Sequence, residues 1–130
     1  MANMWQMISR ETNGVLNDAF IMKFDRYLDW SLLSENYNFS LNMLRIYQHR
    51  VSWGSVLMRT QFPESFLREM APNFDDCWFA VSKYQKLSQS FIRDYAEQLD
   101  WFYIPKYQVV PTRFLAEHAR YIERDGDGSR

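Results

Sequence analysis

Five tryptophans stand at Trp5, Trp30, Trp53, Trp78 and Trp101, separated by 25, 23, 25 and 23 residues. Near-even spacing of the largest apolar side chain marks tandem units, each too small to bury a core alone. Other positions keep the same register. Three residues after each Trp come Ile8, Leu33, Val56, Val81 and Ile104. Nine after the last four come Phe39, Phe62, Leu87 and Val110, followed directly by Ser40, Pro63, Ser88 and Pro111. Thirteen and fourteen after come Met43–Leu44, Phe66–Leu67, Phe91–Ile92 and Phe114–Leu115. The first unit joins the register if two residues are inserted near Asn13–Gly14, which brings Phe20–Ile21 into line. The third carries two extra residues around Pro72–Asp76.

The unit from Trp78 to Asp100 is the cleanest. Its Phe91, Ile92, Tyr95 and Leu99 follow the spacing of one helix face. Ser88 suits an N-cap, and Pro63 and Pro111 in the equivalent slot suit a helix's first turn. Asp29, Ser52 and Asp100 directly precede a Trp and are cap types too, so a shorter helix is expected to begin at each Trp. With only 4 Gly and 4 Pro, a turn-rich β-sandwich is disfavoured, while 47% apolar residues suffice for a packed core. The expected fold is all-α: a solenoid of about five short helical hairpins forming one domain over residues 1–122, with 123–130 as a flexible polar tail. Trp5, Trp30, Trp53, Trp78, Trp101, Phe66, Phe91 and Phe114 are its expected core.

The string Leu99-Asp100-Trp101, Ile104-Pro105, Gln108, Val110-Pro111, Phe114-Leu115 resembles a tandem Trp repeat of about 23 residues found in proteins of large DNA viruses and bacteriophages. The likeness runs roughly from Trp5 to Ile122. Two departures stand out: Cys77 replaces the usual Asp or Ser, and Gln61 sits one place late. The resemblance implies a helical repeat scaffold and a viral or phage origin, with no common activity.

Groups for chemistry are sparse. A metal site needs several convergent ligands, but His49 and His118 belong to no HxxxH or HExxH string and read as structural or surface residues. Cys77 is the only cysteine, so no internal disulfide or cysteine-based zinc site is expected, and a reducing compartment fits. Asp75–Asp76 reads as a solvated capping pair. No phosphate-loop, dinucleotide or nucleophile-elbow string occurs; Gly126 and Gly128 lie in the polar end. No cofactor and no enzymatic activity are expected. No apolar run approaches a membrane span, and the opening MANMWQMISRETNG does not read as a signal peptide.

Two rows remain for partners. Arg45, Arg68 and Arg93 stand fifteen after Trp, where Ala116 ends the row. They form either a basic stripe or a set of local ion pairs with acids such as Glu69, Asp94 and Glu117. Arg59, Tyr84 and Tyr107 share the position six after Trp and make a second candidate row, against packing under the loops. Tyr37 and Tyr103 also lie outside the template. The net charge of −1 gives no field for nucleic acid. The leading expectation is a non-enzymatic protein-binding module, a small viral or phage protein that binds and inhibits or redirects a host factor such as a defence complex, in the cytoplasm. A nucleic-acid-binding protein using the Arg row is the alternative, and a virion or assembly component the third. Met1, Met4, Met7, Val15 and Leu16 make self-association through the N-terminal unit a further expectation.

Overall fold

The computed structural model describes residues 3–11 and 14–126. Among them the structure is all-helical: α1 (Met4–Ser9), α2 (Asp18–Phe24), α3 (Trp30–Asn36), α4 (Leu41–Ile46), α5 (Trp53–Arg59), α6 (Glu64–Met70), α7 (Trp78–Tyr84), α8 (Gln89–Asp94), α9 (Ile104–Tyr107), α10 (Thr112–Glu117) and α11 (Ala119–Asp125). None exceeds two turns, so side-chain caps and packing must hold them. The chain divides into two compact units, between Val56 and Leu57.

In the first unit the helices start where the sequence supplies a cap. Asn3, Asn17, Asp29 and Ser40 each accept a backbone N–H three residues on, and Gln6 returns a bond to Asn3. Gly14 has a φ of +94°, left-handed backbone that suits a residue without Cβ at the first-unit insertion. Leu33, Leu44 and Ile21 are fully buried, and Trp30 and Trp53 are buried with them. Each of these indoles donates to the carbonyl five residues earlier, Asp25 and Gln48, at 2.9 Å. Trp5 is half-buried, against Phe24 at 5.6 Å and Tyr27 at 5.0 Å. Met4, Met7 and Val15 are exposed and Leu16 is buried; Met1 lies outside the described residues.

One buried hydroxyl joins successive hairpins. Ser9 Oγ donates to Trp5 O at 2.6 Å and accepts Asp29 N–H at 2.8 Å. Ser34 does the same between Trp30 O and Ser52 N–H, at 2.6 and 2.9 Å. The position four after Trp thus ties the start of one short helix to the start of the next.

Tyr47 packs on Trp30 at 4.6 Å and donates to Asp25 Oδ2 at 2.9 Å. Desolvation, then the bond to Asp25, pushes its phenol from 10.0 up to about 12. A raised folded value favours the neutral phenol, so this stabilisation is complete below pH 10 and is lost as pH rises toward 12. Denaturant midpoints measured across that range should fall more steeply for wild type than for Tyr47→Phe. Equal slopes would remove the phenol from the alkaline transition.

The second unit repeats the scheme more strictly. Phe66, Phe91 and Phe114 are buried, as are Phe74, Leu99 and Trp101. Trp101 donates from its indole to Ala96 O at 2.9 Å. Its ring stacks on His118 at 5.1 Å and Tyr121 at 5.6 Å. The ring seventeen after Trp recurs as the indole's cover: Tyr47 on Trp30, Tyr95 on Trp78, His118 on Trp101. Ser82 repeats the serine link, from Trp78 O to Asp100 N–H, at 2.7 and 2.8 Å.

Glutamine supplies a second link. Gln85 Nε2 donates to Leu57 O and Thr60 O, both at 2.7 Å, while its Oε1 accepts Phe62 N–H at 3.0 Å. Gln108, one repeat on, donates to Ser82 O and Gln85 O and accepts Leu87 N–H, at 2.9, 2.7 and 3.1 Å. Counted from their own Trp, all six partners are equivalent. Each amide closes backbone groups that the end of the preceding short helix leaves open. Gln61, one place late, turns the other way: it donates to Tyr84 O and accepts Lys86 N–H.

Four sequence expectations change here. Trp101 does not begin a helix; Trp101–Tyr103 form a turn, and α9 starts at Ile104 with Pro105 in its first turn. Pro63 and Pro111 are extended N-caps, outside the first helical turn. The segment read as a tail from residue 123 is helical through Asp125. Its fully buried carboxylate accepts Trp101 N–H at 3.0 Å and two bonds from Arg124 at 2.9 Å, so a polar string folds because it has partners. Residues 127–130 of that segment lie outside the described residues. Finally, Trp5 and Trp78 are half-buried rather than core. Beside Trp78 the inserted segment forms a 3₁₀ turn, Ala71–Asn73, and Phe74 after it meets the indole edge-on.

Candidate protein-binding face

The Arg row is held by the helices' last turns, and in the second unit it is occupied internally. Arg68 Nη1 meets Asp94 Oδ2 at 2.7 Å, and its guanidinium lies 5.3 Å from the Phe91 ring and 5.7 Å from Tyr95. That bond holds the Arg68 guanidinium above its ordinary value. Arg93 lies 5.0 Å over Phe114. Both therefore reach forward onto the buried aromatic of the following hairpin. Of the acids named from the sequence, Asp94 is the one that Arg68 meets, one repeat on. Arg45 is exposed at the end of α4 in the first unit.

The second row is where separate side chains converge. Lys83 and Tyr84 end α7, while Tyr103 caps and Tyr107 ends α9, and these two helices pack together. The Lys83 Nζ lies 5.2 Å from the Tyr84 ring, 5.5 Å from Tyr103 and 5.4 Å from Tyr107. A hydrogen bond to Tyr84, chiefly, holds this ammonium above the usual lysine value. One repeat further on, at the same position, Lys106 sits 3.5 Å over Phe102, which meets Tyr103 edge-on at 5.1 Å. Tyr107 is 52% exposed, and Tyr84, Tyr103 and Phe102 are half-buried. Arg59, at the matching place on α5, is exposed.

The result is a ridge of two lysines bedded on four aromatic rings. Neither packing under loops nor a free row describes it: the rings are half-buried or exposed, with the lysines lying over them. The sequence did not single out Lys83, Lys106 or Phe102. The signal was the Lys-Tyr pair at the same offset in two units, Lys83-Tyr84 and Lys106-Tyr107. His118 is buried, with Nδ1 2.8 Å from Phe114 O. No helix among the described residues is long and apolar enough to cross a membrane.

Set against family models, curated proteins and solved structures, the chain matches none of them.

Proposed function

We propose that this chain is a non-enzymatic protein-binding module in which about five helical hairpins stack as a solenoid. The serine links and glutamine clamps support the solenoid, because each makes the same bonds at the same repeat positions within its unit. The ridge of Lys83, Tyr84, Phe102, Tyr103, Lys106 and Tyr107 carries the binding reading. Half-exposed aromatic rings are the groups protein interfaces select, and Tyr84, Tyr103, Tyr107 and Phe102 supply them here. With the Trp-repeat resemblance, this favours a viral or phage protein acting on a host factor in the cytoplasm, by inhibition or redirection.

The test is capture of partners from host lysate, with and without nuclease, by wild type and by Tyr84→Ala/Tyr107→Ala. Loss of the captured protein by more than about tenfold, with the helical signal kept, supports the reading. Undiminished capture moves the working face elsewhere. The same lysines on rings favour one second reading, a single-strand nucleic acid platform. In that case capture disappears with nuclease, and affinity falls steeply with salt. A virion or assembly role would instead show co-purification with particles.

A further inference from the structure

Trp78, like Trp5 in the first repeat, departs from the repeat's rule. Trp30, Trp53 and Trp101 are sealed, with no more than 8% of their surface exposed, whereas Trp78 is half-open. Phe74 meets one part of the indole edge-on at 5.6 Å, and Tyr95 covers another at 5.4 Å. The rest faces a cleft of about 390 Å³ shared with Phe79, which is 41% exposed. At ~30 Å³ per water, that is the volume of about a dozen waters, room for a long side chain and its head group.

The cleft's other walls are acidic: Asp75, Asp76, Glu97 and Asp100. Two of these are already employed. Glu97 accepts Tyr121 O–H at 3.0 Å and faces Arg124 at 3.6 Å, and Asp100 Oδ1 accepts Phe102 N–H at 3.1 Å. Asp75 and Asp76 have no hydrogen bond or ion pair of their side chains among the described residues. They sit in the inserted segment beside the indole, so two unengaged carboxylates stand along its open part. The carboxylates do not gather as a metal site would among the described residues. Spread anionic charge around an open indole suits an extended organic cation. A guanidinium fits it best, because it stacks flat on aromatic faces and forks onto carboxylates.

We propose that the Trp78 cleft is a receptor for an arginine side chain of a partner protein. It uses none of the ridge residues, so it stands or falls separately from that face. The experiment uses the full chain, ¹⁵N-labelled, with the Trp78 indole resonance assigned through Trp78→Phe. The probe is a capped peptide of alternating Gly and Arg; the control replaces Arg by Glu. The Arg peptide is expected to give saturable shifts at the Trp78 indole and the Asp75–Phe79 amides, and the Glu peptide none. Asp75→Asn/Asp76→Asn and, separately, Phe79→Ala should each weaken binding about tenfold; both sites are exposed, so the fold is expected to survive. Shifts located elsewhere, or no saturation, would overturn the proposal. So would weakening by the Asn pair alone with Phe79→Ala unchanged, which would mark diffuse attraction rather than a built cleft.

Discussion

Trp101→Ala should cost about 3–5 kcal/mol and leave the second unit largely unfolded at room temperature, given the modest stability of small domains. The ring is fully buried, its N–H is bonded to Ala96 O, and it stacks on His118 and Tyr121, so truncation empties a cavity with no route to collapse. Trp78→Ala at the equivalent place should cost no more than about 2 kcal/mol, because part of that indole never leaves solvent. Denaturant unfolding of the two variants checks the contrast. Equal losses would mean that Trp78 is sealed in solution and that its cleft is closed.

The second large effect belongs to a polar residue. Gln85 is buried, and Gln85→Ala strands Leu57 O, Thr60 O and Phe62 N–H together. At about 1–3 kcal/mol for each orphaned buried group, the loss should reach roughly 3 kcal/mol or more. Gln85→Glu should be no better, since a carboxylate keeps the acceptor for Phe62 N–H but turns an oxygen toward two carbonyls. Exposed Gln61, replaced by alanine, is the comparison and should cost much less. If Gln85→Ala melts like wild type, water substitutes for the amide and the clamp is not a structural requirement.

What could be read in advance was whatever repeats by residue type. The Trp register located α3, α5 and α7, and Asp29, Ser40 and Ser88 announced helix starts by the oxygen they offer. Ser9, Ser34, Ser82, Gln85 and Gln108 were visible as recurring letters, but their partners lie 18 or more residues away, beyond any local pattern. The Tyr–Lys ridge was half-legible: Tyr84 and Tyr107 shared a register, whereas the lysine between them becomes central only once α7 and α9 pack. The openness of Trp78 was hidden because an insertion's length can be counted, while the exposure of the side chain beside it cannot. Asp125 misled for the opposite reason, since its neighbours Arg124 and Gly126 made a buried carboxylate look like a solvated end.

The glutamine clamp has a direction. Each of Gln85 and Gln108 reaches back to the hairpin before it. Among the described residues, the equivalent places one repeat on, Pro105 O, Gln108 O and Val110 N–H, receive no such clamp, and Val109 beside them is 98% exposed. Local opening should then be graded along the unit, easiest around 104–110 and hardest near Phe62, where the earlier clamp closes. Like a zipper, the unit would begin to loosen at the unclamped α9 and leave the first-clamped hairpin until the end.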